Sequence, residues 1–377
     1  MKALISAYAR SPFHFARKGA LAEVRPDTLA AAVVQDLLRR TGLDPALLED
    51  VILGCAYPEA AQGNNLARIV GLLAGLPQEV GGMTVNRFCG SSMQAVHIAA
   101  AQIEAGVGEA YLCVGVESMS MVPQGGFNFS PHPQLQADTA AYISMGETAE
   151  NVAQRWNVSR ADQEALAVAS HRKAAAAREQ GRLAAEIVPI ALADGSRVEA
   201  DGCIRPATSA QALAALRPAF RPDGVVTAGT ASPLTDGAAV VLVTSDAFAA
   251  RHGLAPLARV RSFATVGVDP AVMGIGPIPA TRKALARAGL TVADLDVVEI
   301  NEAFSSQALA CIRDLGLAME TVNLDGGGLA IGHPLGATGA RITGKAAALL
   351  AREHGRYALA TQCIGGGQGV ATVLERV

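Results

Sequence analysis

The sequence repeats itself. Residues 291–298 echo residues 45–51, each stretch leading into a short apolar strand that ends at a polar turn. The correspondence holds at a separation of 246 residues, Asp50 with Asp296 and Gly90 with Gly336. Thr321-Val322-Asn323 repeats Thr84-Val85-Asn86, Gly336-Ala337-Thr338-Gly339-Ala340 opens a helical run much as Gly90-Ser91-Ser92-Met93-Gln94 does, and residues 357–361 supply a matching strand. Within each copy, apolar strands alternate with runs at helical spacing, the pattern of an α/β layer fold. A duplicated βα unit constrains this chain more than any other feature. Two such halves pack about a pseudo-twofold, and turns at corresponding places then converge on one site.

Residues 3–7, 51–55, 82–85 and 110–115 read as strands; 28–40, 65–74 and 91 to about 106 read as helices. Between the halves the character changes. Residues 119–140 carry Pro123, Gly125, Gly126, Pro131 and Pro133 with little periodicity. A long ordered loop of this kind is often functional. Ser159-Arg160-Ala161-Asp162 resembles a capping box, with Asp in place of the usual Glu, opening an alanine-rich helix to about 180. Residues 191–224 are polar and carry Pro206, Pro218 and Pro222. The expected division is an N-terminal half, 1–118, completed by about 231–262; an inserted loop domain, 119–230; and a C-terminal half, 263–377.

Of 377 residues, 50% are hydrophobic and 17% charged, enough to fill a large core. A net charge of −3 offers nothing to a nucleic acid or an anionic membrane. The six cysteines, at 55, 89, 113, 203, 311 and 363, form no C-x-x-C pair, which suits reduced thiols rather than zinc or disulfides. No apolar run reaches the ~18 residues of a membrane helix. No presequence or peroxisomal tripeptide is recognised, so a cytoplasmic location is expected.

Four stretches carry the chemistry. Cys89, in Asn86-Arg87-Phe88-Cys89-Gly90-Ser91-Ser92-Met93-Gln94, sits at a strand-turn-helix junction. The dipole and free N–H groups of a helix start favour a thiolate and are expected to lower its pKa. That suits a nucleophile; the alternative is a buried structural thiol. Asn301-Glu302-Ala303-Phe304 follows an apolar strand, where Asn otherwise serves as a turn residue. His333 lies in Gly332-His333-Pro334-Leu335-Gly336, and Cys363 in Cys363-Ile364-Gly365-Gly366-Gly367. Glycine next to both lets backbone N–H groups approach a ligand. Gly326-x-Gly328-x-x-x-Gly332 departs from the G-x-G-x-x-G of dinucleotide loops.

Together these stretches resemble the thiolase family of acetyl-CoA acyltransferases. The resemblance runs end to end, through Gly115-Val116-Glu117-Ser118-Met119, Met145-Gly146-Glu147-Thr148, Leu216-Arg217-Pro218-Ala219-Phe220, Val226-Thr227-Ala228-Gly229-Thr230-Ala231-Ser232 and Asp236-Gly237-Ala238-Ala239. It implies a duplicated, five-layered αβαβα core with a loop domain, in dimers or tetramers. It also implies thiolytic cleavage of a 3-ketoacyl-CoA through an acyl-cysteine. Cys89 would be the nucleophile and His333 the base, titrating near neutrality. Cys363 would be the acid/base at C2 of the acetyl group. His333 and a water held by Asn301 would form one oxyanion hole; the N–H groups of Cys89 and Gly365 would form the other. For CoA the resemblance points to Ser232, Ala228, Arg217, Ala303, Phe304 and Met145. CoA thioesters are then substrates, with no cofactor and no metal, and a β-oxidation multienzyme complex is a conceivable partner.

Three departures bear on this reading. Asp325 stands where the family commonly has Asn, and a carboxylate close to His333 would raise the histidine's pKa. Ser144 replaces a histidine found in biosynthetic acetoacetyl-CoA thiolases, and the loop 122–143 is shorter than theirs. These last features favour the degradative reaction over the biosynthetic condensation of two acetyl-CoA. A ketoacyl synthase would need a second histidine where Asn301 stands. A non-catalytic acyl-CoA-binding relative would have lost Cys89, His333 or Cys363.

Overall fold

The computed structural model describes residues 1–377. Its core elements begin with β1 (Ala3–Arg10), α1 (Pro26–Thr41), β2 (Asp50–Gly54), α2 (Leu66–Leu73), β3 (Gly81–Val85), α3 (Ser91–Glu104) and β4 (Ala110–Ser118). Next come α4 (Met145–Arg155), α5 (Arg160–Glu179), β5 (Thr235–Ser245), β6 (Ala258–Gly267) and α6 (Pro277–Ala288). The chain ends with β7 (Val297–Ile300), α7 (Ser305–Leu315), α8 (Leu335–Arg352), β8 (Tyr357–Ile364) and β9 (Gln368–Glu375).

These strands follow one path, β7-β8-β9-β6-β1-β5-β4-β2-β3, two half-sheets arranged head to head. In one, parallel β2 and β4 place Val51 opposite Leu112; in the other, parallel β7 and β8 place Val297 opposite Ala358. Both residues of the pair are displaced by 246, so the repeat is preserved in hydrogen-bond register. The half-sheets meet only where Leu4 and Ile5 of β1 face Arg259 and Ala258 of β6.

Helices α3 and α8 lie between the half-sheets and touch strands of both. Met93, Val96 and Ala100 of α3 join Ala340, Ala346 and Leu350 of α8 in the central core, with Ile52, Val241 and Ala360. On the outer faces, Leu29, Val33 and Leu37 of α1 cover Val51, Leu53 and Leu112. Ala284 and Leu285 of α6 and Ile312 of α7 cover Val298, Leu359 and Val373. The layers are therefore αβαβα. Strands β4 and β5 are buried along their whole length, which is why they read as continuous apolar runs rather than alternating ones. Close packing of the two central helices depends on glycine: a Cβ on Gly339 would lie 2.3 Å from the backbone nitrogen of Met93.

Some elements differ from the sequence reading. Thr321-Val322-Asn323 makes no strand; Val322 alone bridges to Val298. Asn323 turns into the left-handed region (φ +45°), and its amide bonds both backbone groups of Ile300 at 2.9 Å, ending the extension. Strand β6 runs across the expected boundary at 262/263, pairing with β9 from Arg259 to Gly267. Residues 119–140 include a short helix, Pro133–Asp138. Helix α5 starts as the sequence predicts, with Ser159 Oγ accepting the Asp162 N–H at 3.1 Å. No helix is long and apolar enough to cross a membrane.

Candidate active site

The turn between β3 and α3 holds Cys89 beside a residue in an uncommon conformation: Phe88 has φ +42°. Neighbouring side chains hold the turn. Asn86 Oδ1 accepts the Phe88 N–H at 2.8 Å, and Ser91 Oγ accepts the Arg87 N–H at 2.8 Å while donating to Phe88 O at 2.6 Å. Gln362 Nε2 donates to Cys89 O, tying the turn to β8. The backbone N–H groups of Gly365 and of Cys89 itself favour the Cys89 thiolate. The expected fall in thiol pKa does not occur. Burial pushes Cys89 up to about 11, against the two N–H groups, and buried Glu117 adds to the rise. Desolvation outweighs the helix start.

Cys363 ends β8, buried with Ala303, Phe304, Met273, Val226 and Ala149 and flanked by Met145. Burial first, and then a charge on Cys89, push its thiol well up, and the strand end packs against the Cys89 turn, a Cβ on Gly90 lying 2.6 Å from Ile364 Cδ1. Gly366 (φ +77°) and Gly367 (φ +83°) turn the hairpin back into β9, a conformation that side chains resist.

His333 is buried ahead of α8. Its Nδ1 lies 2.6 Å from Thr338 Oγ1, and that hydroxyl donates its only proton to Pro334 O at 2.9 Å. This arrangement suits Thr338 as the acceptor, with the hydrogen on His333 Nδ1 and a lone pair on Nε2. The Asn301 amide nitrogen stands 3.3 Å from Nε2 and 3.4 Å from Nδ1, while Asn301 Oδ1 is buried without a protein partner. The near-neutral titration expected of His333 is corrected: burial, and then the Arg341 charge, lower it to about 3. At pH 7 the site rests as a thiol and a neutral imidazole, not as an ion pair.

The expected influence of Asp325 on His333 is also corrected. Asp325 is fully buried and paired with Arg182 (3.0 Å), Lys345 (2.8 Å) and Arg352 (2.6 Å); Arg352 and Lys345 hold its carboxyl below the usual range despite its burial. It does not figure among the groups acting on His333. Ser144 N-caps α4, accepting the Glu147 N–H at 3.2 Å.

Of the residues expected at CoA, Ser232 donates its N–H to Ala303 O at 2.9 Å, which joins the loop before β5 to the Asn301–Phe304 turn. Phe304 packs edge-on against Phe220, ring centroids 6.0 Å apart. Met145 stands over the Cys363 hairpin: a Cβ on Gly365 would lie 3.5 Å from its sulfur. Ala228 lines a small cleft with Phe15, His171 and Arg205. Arg217 is exposed and bonds nothing.

Sequence reading missed Thr338, Gln362 and Glu117. Thr338 carries a partial signal, a hydroxyl one helical turn beyond Pro334 and five residues from His333. Glu117 carries one too, its 246-residue correspondence with Cys363, whereas Gln362 carries none, because its partner lies 273 residues away.

A turn presenting one cysteine, a second cysteine on β8 of the other half and a buried histidine ahead of the central helix make a set suited to acyl transfer on a duplicated αβαβα core. The family model for the thiolase N-terminal domain matches residues 3–247, and that for the thiolase C-terminal domain matches residues 254–376. The chain belongs to the thiolase family. It is 48% identical to the 3-ketoacyl-CoA thiolases of Shewanella putrefaciens, Shewanella baltica and Shewanella denitrificans, in each case over 100% of both chains.

Proposed function

We propose that this chain catalyses CoA-dependent thiolytic cleavage of 3-ketoacyl-CoA, giving acetyl-CoA and an acyl-CoA shortened by two carbons. The observation that carries the reading is the packing of the Cys89 turn against the strand end that bears Cys363, joined by the Gln362 Nε2–Cys89 O bond and by Gly90 against Ile364, in a fold whose full-length relatives are named 3-ketoacyl-CoA thiolases.

In this reading His333 Nε2 takes the Cys89 proton as the sulfur attacks the ketone carbon. A thiol at about 11 and an imidazole at about 3 disfavour a standing ion pair, so transfer accompanies attack. The C2–C3 bond breaks, its electron pair stays on C2 of the departing acetyl thioester, and the Cys363 thiol supplies the proton there. CoA then attacks the acyl group on Cys89, its thiol proton returns to the site, and Cys89 leaves as the thiol. The N–H groups of Cys89 and Gly365 stabilise the oxyanion of the acyl steps. The enolate oxygen is held by His333 and a water on Asn301, whose unpartnered Oδ1 supports such a water. CoA lies along Ser232, Ala228, Ala303, Phe304 and Met145, with Arg217 toward the adenine. The enzyme works as a homodimer or tetramer in the cytoplasm, with a β-oxidation complex as a partner; the unpaired outer edge of β3 supports self-association.

The test measures CoA-dependent loss of acetoacetyl-CoA and of a ten-carbon 3-ketoacyl-CoA side by side. Turnover of both supports the proposal. Turnover of the short substrate alone would replace it with the acetoacetyl-CoA enzyme, and turnover of neither would remove it.

A further inference from the structure

Glu117 is fully buried near the end of β4, and no cation pairs with it. Its carboxylate accepts N–H groups from Ala56 (2.8 Å), Tyr57 (3.2 Å) and Gln62 Nε2 (2.9 Å) in the first half, and from Gly336 (2.8 Å) in the second; the Cys55 thiol faces it at 3.7 Å. An unpaired buried carboxylate is costly, and a convergent set of donors is what keeps one in place. Gly336 is the second residue of α8 and three residues after His333, and its N–H is one that a helix start leaves free.

The repeat sharpens the point. Glu117 and Cys363 are separated by 246 residues, as are Gly90 and Gly336. The same strand position thus carries a thiol beside the Cys89 turn in one half, and in the other a carboxylate bound to the start of the opposite central helix. A Cβ on Gly336 would lie 2.4 Å from Val116 O, so helix and strand leave no slack.

We propose that Glu117 is a positioning residue that locks the His333 loop and the start of α8 against the first half, setting the imidazole relative to Cys89. This rests on the thiolase reading for its kinetic consequence, not for its structural one. Glu117 also acts on the reacting thiol through space, and Tyr57 and Cys363 are the other titrating groups coupled to Cys89.

Glu117→Gln keeps the shape, removes the charge and turns an NH2 toward backbone donors. Two readouts on the full chain separate the outcomes. In thiolysis of acetoacetyl-CoA, kcat falls on the order of 10²-fold while KM for CoA stays within about twofold, the size expected of a small displacement of a reacting group. In iodoacetamide alkylation of Cys89, followed by intact mass, the pH midpoint shifts downward because a negative charge has gone. A purely structural role would lower the melting temperature and leave kcat of the folded variant near wild type. Should the Gln variant not fold, Glu117→Asp serves: it keeps the charge but shortens the reach to Gly336, so kcat falls and the midpoint stays. Wild-type kcat in the folded Gln variant, or in the Asp variant if that one is needed, overturns the proposal. An unmoved alkylation midpoint in Glu117→Gln does so as well. A wild-type enzyme without thiolysis would defeat the functional reading alone, since the alkylation profile is independent of it.

Discussion

Replacing Thr338 by valine asks whether the His333 tautomer is held by one hydroxyl. The two side chains are close in size, so the change removes an acceptor and leaves the packing of α8 nearly intact. In the wild type, His333 Nδ1–H donates over 2.6 Å to an oxygen whose own proton is committed to Pro334 O. Without that oxygen the nearest polar group is the Asn301 amide nitrogen, itself a donor, at 3.4 Å. A buried N–H left unpaired costs about 1–3 kcal/mol. The imidazole can escape by moving its hydrogen to Nε2 or by rotating, and under the proposed mechanism either removes the lone pair that takes the Cys89 proton. The productive form therefore drops by about 5- to 150-fold, the same 1–3 kcal/mol read as a population. The assay is kcat/KM for CoA-dependent loss of acetoacetyl-CoA, with urea unfolding in parallel. Activity should fall within that range, and Thr338→Ser should recover most of it. Stability falls by the full amount only if the wild-type tautomer persists. A folded Thr338→Val enzyme within twofold of wild type would refute the tautomer argument.

Cys89→Ala should leave no acyl adduct after incubation with acetyl-CoA; an adduct by mass spectrometry would move the nucleophile elsewhere. Cys363→Ala should still be acylated by acetyl-CoA yet make no acetoacetyl-CoA, and failure to acylate would mean that Cys363 also serves the first step. Gly339→Ala should destabilise the fold by at least about 1–3 kcal/mol in urea unfolding, because its Cβ would lie 2.3 Å from a backbone atom that cannot swing away. His97, buried, stacked on Phe263 and bonded to Thr372 Oγ1 at 2.7 Å, is lowered by burial from 6.5 to about 3. Its stabilising contribution is complete above pH 6.5 and is lost as pH falls toward 3, because the unfolded chain takes up the proton first. Between pH 7 and 5 that amounts to about 2 kcal/mol, so His97→Gln should show a shallower loss of stability over this range than wild type.

Much of this molecule was legible without coordinates. The 246-residue repeat pointed to two equivalent α/β halves, and the fold keeps it in register, Val51 with Leu112 in one half and Val297 with Ala358 in the other. Cys89, His333, Asn301 and Cys363 could be named because each sits in a short local signature at a strand end or helix start. Their electrostatics could not. The sequence shows Cys89 at a helix start, which argues for a low pKa, but desolvation depends on how much protein surrounds the sulfur, and that comes from residues far away in the chain. Asp325, standing where the family commonly has Asn, would have raised the pKa of His333 had it lain against it. The fold instead turns its carboxylate toward Arg182, Lys345 and Arg352. Glu117 and Gln362 gain their partners only when the halves close on α3 and α8. Local pattern thus picked out the candidate residues; burial and long-range pairing, which arise when the two halves pack, decided their protonation and what holds them in place.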